Sequence, residues 1–345
     1  MASNVVLYDK TAGQADVVGF DAGGAMNLDH TNPGWRNTWD VITAGAFTEA
    51  RFPTLVLYDR NAGQADVVGF DAGGAMNLDH TNPGWRSSWN IITAGDFVGN
   101  RKSQLVLYDR IAGQADVVGF DAGGTMNLDH TNLGWRNTWD AIVAGHFVGN
   151  GKSQIVLYDR TAGQADVVGF DASGALNLDH TNFGWRNTWD ILIAGDFVGN
   201  GKSQIVLYDR TAGQADFVGF DASGAMNLDH TNFGWRNTWD VLIAGDFVGN
   251  GKSQLLLYDR TAGQADVVGF DASGAMNLDH TNQGWRNTWD LLIAGHFVGN
   301  GKSQIVLFDR NAGQADVVGF DAGGAMNLDH TNLGWRQTWN TLVTL

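Results

Sequence analysis

Residues 189–232 read WDILIAGDFVGNGKSQIVLYDRTAGQADFVGFDASGAMNLDHTN, and four strand signals lie within them. Residues 191–197 are apolar and then small. Residues 205–208 are continuously apolar, with β-branched and aromatic side chains, as befits a strand covered on both faces. Residues 216–221 follow, and residues 226–229 alternate apolar with polar, the pattern of a half-exposed outer strand. Between them Gly199-Asn200-Gly201, Ala212-Gly213 and Ala222-Ser223-Gly224 supply the positive φ angles that tight hairpins need. The stretch is predicted to fold as a four-stranded antiparallel meander.

Outward from this stretch the same unit recurs. Gly19-Phe20-Asp21-Ala22 returns at Gly69, Gly119, Gly169, Gly219, Gly269 and Gly319, a period of fifty residues, and seven copies fill the 345-residue chain. A chain of this length exceeds the usual size of one core unless each unit packs only on its neighbours, so residues 1–345 are read as one repeat domain. With no capped helix-period run, the fold class is all-β: a seven-bladed β-propeller with four antiparallel strands per blade.

A linear β-solenoid is the competing architecture, and the termini decide against it. The sequence begins at the second strand signal (residues 4–9) and ends on the first (residues 341–345). This permuted cut predicts that residues 341–345 form the innermost strand beside residues 4–9, closing the ring without exposed edges. The pairs Ala44-Gly45, Ala94-Gly95 and Ala144-Gly145 fit, since inner strands converge at the axis and large side chains would collide there.

Composition narrows the function. Hydrophobic residues make up 43% and charged residues 17% of the chain, a globular balance. With 21 basic and 37 acidic residues the net charge is -16, which disfavours nucleic acid and anionic lipid as partners. The absence of cysteine removes disulfides, thiolate catalysis and cysteine-ligated zinc. No signal peptide or membrane span is read, leaving the cytoplasm or a non-classical secretion route open.

The connector His30-Thr31-Asn32-Pro33-Gly34-Trp35-Arg36-Asn37-Thr38-Trp39 holds both tryptophans of its repeat. In a hairpin-built propeller it shares a face with the next unit's turn, Asp59-Arg60-Asn61-Ala62-Gly63-Gln64. Ring faces, a guanidinium and amides then meet at a blade junction, a mixture suited to a sugar. The candidate sugar-binding residues are Trp35, Arg36, Asn37, Arg60 and Gln64; Trp85, Arg86 and Arg110; Trp135, Arg136, Asn137 and Arg160; Trp185, Arg186, Asn187 and Arg210; Trp235, Arg236, Asn237 and Arg260; Trp285, Arg286, Asn287 and Arg310; and Trp335 with Arg336. The competing reading has Trp35 and Trp39 wedging the blades together and Arg36 pairing with Asp40. For Trp39, directly before the apolar strand, both readings stand; Trp35, after Gly34, is the stronger platform candidate. Position 33 changes between copies (Pro33, Pro83, Leu133, Phe183, Phe233, Gln283, Leu333), which places it at a rim, either tuning affinity or idle.

Asp29-His30-Thr31 reads as a hydrogen-bonded structural pair rather than an acid/base or metal site. The hairpin Asp196-Phe197-Val198-Gly199-Asn200-Gly201-Lys202-Ser203-Gln204 resembles the calcium loops of FG-GAP repeats. Only Asp196 is acidic there, and Ala46, His146 and His296 stand in its column, so calcium is rejected. No metal or cofactor is expected. A glycoside hydrolase needs a unique carboxylate pair, which the sequence does not single out.

The motifs Gly195-Asp196-Phe197, Gln204-Ile205-Val206-Leu207-Tyr208-Asp209, Gly219-Phe220-Asp221 and Gly234-Trp235-Arg236-Asn237-Thr238-Trp239 resemble, along the whole chain, bacterial seven-bladed β-propeller lectins of the Photorhabdus type. That resemblance implies fucose or O-methylated sugars in pockets between blades, fucosylated or O-methylated glycans as partners, and room for a homo-oligomer. The copies are closer than long-separated natural blades normally remain, a mark of recent duplication or repeat engineering. The first hairpin, Thr48-Glu49-Ala50-Arg51-Phe52-Pro53, departs from the others. The expected function is a multivalent, non-catalytic lectin; the alternative is a symmetric scaffold that binds nothing specific.

Overall fold

The computed structural model describes residues 2–49 and 53–345, so half of the departure at the first hairpin, residues 50–52, lies outside the described residues. The described residues form seven four-stranded antiparallel sheets, the blades of a seven-bladed propeller. One blade consists of Val41–Gly45, Thr54–Asp59, Gln64–Phe70 and Met76–Pro83, running from inner to outer edge in chain order. Register is fixed by the pairs Val41↔Tyr58, Leu55↔Val68 and Gln64↔Pro83.

Burial follows the composition of each strand. Thr54–Asp59 is buried throughout, whereas Met76–Pro83 alternates exposed and half-buried positions. The side chains of the second strand divide between two interfaces. Leu55 and Leu57 pack with Val6, Tyr8, Trp35 and Trp39 of the preceding repeat, while Val56 and Tyr58 pack with Leu105, Leu107 and Phe120 of the following one. The core is therefore seven clusters lying between blades, and each blade depends on two neighbours.

The outer strand is longer than its alternation predicts. Residues 226–229 are expected, but the strand is Met226–Phe233, and His230, Thr231 and Asn232, expected in the connector, pair with Phe217, Asp216 and Ala215. Its end is held by the neighbour. The Asn232 amide donates through Nδ2 to the Gly274 carbonyl at 2.9 Å, and its Oδ1 accepts the Met276 N–H at 2.9 Å. These partners lie 42 and 44 residues away, beyond the reach of a local pattern. The same two-handed bridge recurs around the ring and closes it, from Asn332 to the Gly24 carbonyl and the Met26 N–H.

The inner-strand glycine has a different cause from axial crowding. A Cβ at Gly45 would lie 2.8 Å from Ser103 Oγ and 3.0 Å from Phe47 Cζ, so the next blade's hairpin demands the missing side chain.

Closure follows the permuted cut. Thr341–Thr344 is the inner strand of the blade that Val5–Asp9 begins, with Val5↔Thr344 and Leu7↔Leu342 paired. Leu342 joins the cluster of Val5, Leu7, Trp335 and Trp339, and the Thr338 hydroxyl donates to the Asp9 carboxylate. Deleting residues 341–345 should uncover the edge of Val5–Asp9 and open this cluster. Thermal melting with light scattering should then show a large fall in Tm or aggregation; a truncated chain that melts like its parent contradicts the closed ring.

Candidate functional site

Each connector is pinned from two blades. Gly34, at φ 84°, turns the chain off the outer strand Met26–Pro33. The Trp35 N–H donates to the Gly13 carbonyl at 2.8 Å, and the Tyr8 hydroxyl donates to the Arg36 carbonyl at 2.6 Å. Burial pushes the Tyr8 hydroxyl up to about 12, which keeps it a neutral donor. From the next blade, buried Asp59 accepts the Thr38 hydroxyl and lies 4.0 Å from the Arg36 guanidinium, which sits over the Trp39 ring at 5.8 Å. Arg36 thus faces Asp59 rather than Asp40; the Asp40 carboxylate accepts the Arg60 N–H instead.

Beneath the connector opens a cleft lined by Gly34, Trp35, Arg36 and Trp39 on one side and Leu57, Asp66, Val68, Met76, Asp79 and Thr81 of the next blade on the other. Clefts of this build at five junctions have volumes between about 140 and 220 Å³. Small polar molecules fit such a space; a long oligomer does not.

The chemistry of the wall centres on Asp66. This carboxylate is only 7% exposed, accepts the Gln64 amide at 3.1 Å and is hydrogen-bonded by Thr81. Burial raises its pKa above the ordinary 3.8, and the charge of Asp79 raises it further, against the lowering effects of Thr81, Arg36 and Gln64. The same direction, led by burial, holds at Asp16, Asp116, Asp166, Asp216, Asp266 and Asp316. Arg36 is about half exposed at the mouth, its side chain 48% accessible. The cleft therefore joins a desolvated carboxylate, a second carboxylate and a guanidinium.

The sequence-selected residues divide. Trp35 and Arg36 line the cleft, as do Trp185, Arg186, Trp235, Arg236, Trp285, Arg286, Trp335 and Arg336. Trp35 shows the cleft little of its ring: it is 8% exposed, packed against Tyr8 at 5.9 Å and stacked on Phe70 at 6.4 Å. The indole nitrogens of Trp35 and Trp39 are buried without a protein acceptor. Arg60 is not in the wall; its guanidinium donates to the Trp89 carbonyl at 2.9 Å, and Arg160, Arg210, Arg260 and Arg310 do the same one connector on. Gln64 is buried behind Asp66, and Asn37 is exposed outside the lining. Position 33 is at the rim, with Phe233 74% exposed and outside the cleft.

Asp66 is not among the sequence-selected residues, and the column of Asp79 and Thr81 is read from the sequence as structural rather than as cleft lining. The signal was a lone acid inside the apolar third strand, Gln64-Ala65-Asp66-Val67-Val68, where burial has no ordinary use for a carboxylate. The motif Asp79-His80-Thr81 is split by strand alternation: Asp79 and Thr81 face this cleft, whereas His80 packs its Cβ against Gly124 of the following blade. Among the described residues no group of three or more acidic or histidine side chains is placed to hold a metal ion.

No protein-family pattern matches the chain, and no curated protein matches it in sequence. Solved structures do share its shape. A protein from Lactobacillus plantarum matches with 12% identity, a TM-score of 0.66 and 100% of each chain covered. A candidate 6-phosphogluconolactonase from Bacteroides fragilis matches with 14% identity and a TM-score of 0.67 over 99% of this chain and 98% of its own. The periplasmic gluconolactonase of Pseudomonas aeruginosa matches with 13% identity and a TM-score of 0.63 over 99% of each chain. At these identities the likeness establishes the propeller fold. It also corrects the expected non-catalytic, fucose-binding lectin: the neighbours named here for an activity are lactonases, which are enzymes, and the lectin resemblance finds no support among them. The scaffold alternative gains nothing from them either.

The raised carboxylates fix a pH dependence. The folded chain holds the Asp266 proton to higher pH than the unfolded chain does, so between 3.8 and the raised value the native state binds more protons. Stability from this group is full below 3.8 and is lost as pH rises through the raised value. Asp266→Asn should therefore melt above the parent at neutral pH, with the gain vanishing in acid. Thermal melts of both proteins from pH 3 to 8 check it; a gain independent of pH contradicts the assignment.

Proposed function

We propose that the interblade clefts hydrolyse a cyclic ester of a polyol, a sugar lactone, with the carboxylate at the Asp66 position as general base. The observation that carries this reading is that carboxylate itself: desolvated in a cleft wall, steadied by Gln64 and Thr81, and repeated in all seven blades although its burial opposes ionisation. Perturbed carboxylates of this kind concentrate at functional sites. The gluconolactonase names of structural neighbours lend support at the level of fold alone.

The residues divide the reaction between them. Asp66 takes a proton from water as the water oxygen bonds to the lactone carbonyl carbon, and the carbonyl π electrons move onto oxygen. The guanidinium of Arg36 stabilises that oxyanion. As the intermediate collapses, the ring C–O bond breaks and the leaving alkoxide recovers the proton from Asp66, giving the open hydroxy acid. Asp79, in the same wall, accepts hydrogen bonds from substrate hydroxyls, and Thr81 holds Asp66 in place.

The test is hydrolysis of D-glucono-1,5-lactone, corrected for spontaneous ring opening. Acceleration should rise with pH as the carboxylates ionise and level off above their raised pKa. Replacing Asp16, Asp66, Asp116, Asp166, Asp216, Asp266 and Asp316 together by Asn should lower the rate by roughly 10²-fold or more, the usual worth of a general base, in protein that melts no lower than its parent. A rate equal to the spontaneous one, or one unchanged by the sevenfold replacement, overturns the reading.

A further inference from the structure

The opposite face of the ring, where inner and second strands are joined, carries a hairpin that, beyond the divergent one at Ala46, comes in two versions. In the first, an aspartate closes the hairpin on itself. Asp196 Oδ1 accepts the N–H groups of Gly199 and Asn200 at 2.8 and 3.0 Å, and Oδ2 accepts that of Gly201 at 2.9 Å. Asp96 does the same with Gly99, Asn100 and Arg101, and Asp246 with Gly249, Asn250 and Gly251. Three convergent backbone donors thus hold both oxygens of one carboxylate, the arrangement of an anion nest.

In the second version that carboxylate is missing but the nest is not. His146 and His296 occupy the aspartate column, and the hairpins keep their shape: φ is 74° and 78° at Gly149 and Gly151, 70° and 80° at Gly299 and Gly301, against 74° and 76° at Gly199 and Gly201. The supporting bonds are also kept, since Asn150 Oδ1 still accepts the Lys152 N–H at 3.0 Å, as Asn200 accepts that of Lys202 at 2.9 Å. Among the described residues no acceptor meets the N–H groups of Gly149, Asn150 and Gly151 or of Gly299, Asn300 and Gly301. Positive charge stands close to the first of these hairpins. The Lys202 stem crosses Gly149 so tightly that a Cβ there would lie 2.5 Å from its Cε, whereas the neighbour of Gly299 is Ala2.

We propose that the hairpins at His146 and His296 bind the free carboxylate of a ligand, in the position that their sibling blades fill with their own aspartate. The donors are already aimed, so binding requires no loop ordering. The imidazole that replaces the aspartate removes the negative charge that would repel the ligand, and at His146 the Lys202 side chain adds attraction. The His146 site is therefore the tighter of the two. The site lies apart from the interblade clefts and does not rest on the lactonase reading.

Acetate is the probe, titrated calorimetrically into the full chain at about 0.15 M salt, where the Debye length of about 8 Å screens most of the chain's net negative charge. Two saturable sites are expected. His146→Asp and His296→Asp each supply an internal carboxylate and should each remove one site, His146→Asp the tighter, while the double variant binds no acetate and melts at or above the parent. Asp196→Ala should expose a third nest and add a site. Absence of saturable binding in the parent, or binding unchanged in the double variant, overturns the proposal.

Discussion

Each blade can hide its apolar faces only against another blade, and the whole structure depends on that mutual burial. A strand such as Thr54–Asp59 carries large apolar side chains on both faces, Leu55 and Leu57 towards one neighbour, Val56 and Tyr58 towards the other. An open row of such sheets would leave two faces wet at its ends, whereas a ring leaves none. Non-directional burial alone would let blades slide, so polar contacts set the register between them. The asparagine of each outer strand, bonded to both a carbonyl and an N–H of the next blade, is the clearest of these, because a slip between blades would leave its buried amide unpaired.

The clefts are by-products of this packing into which the sequence has placed a desolvated carboxylate. A connector must pass over each blade junction, and it is held up from beneath by Tyr8 and sideways by Asp59, so a gap remains under it. An apolar residue at position 66 would fill that wall at no electrostatic cost. The aspartate instead accepts desolvation at every junction, a local conflict of the kind that proteins retain where a side chain has work to do.

Much of the fold was readable because its signals are local. The buried second strand and the alternating outer strand follow from residues adjacent in sequence, and the period and the inner strand supplied by the chain's end follow from comparing one copy with the next. The end of the outer strand was not, since His230, Thr231 and Asn232 owe their strand conformation to partners in another repeat. In the site, Trp35 and Arg36 were found because aromatics and a guanidinium stand out in a connector. Their roles were less legible: a tryptophan that lends an edge to a cleft and one that offers a ring face have the same sequence. The arginine column at Arg60 is expected in the wall but lies outside it for a related reason, as its carbonyl partner lies 29 residues on. The motifs read as a lectin resemblance describe how blades pack, and packing does not specify ligand.

The seam between Thr341–Thr344 and Val5–Asp9 also imposes a delay during synthesis. The first strand leaves the ribosome long before its partner exists; at about 5–20 residues per second the wait is on the order of 20–70 s. Throughout that time every newly made inner strand, Val41–Gly45 among them, is a short strand that takes the same place in its own blade as the missing one, although its residues differ from those of 341–345. The incomplete first blade can therefore be satisfied by the wrong copy, closing a smaller ring or joining two nascent chains. What makes the finished ring uniform thus makes its assembly ambiguous, and the correct outcome rests on each inner strand being captured by its own blade before it can reach the first.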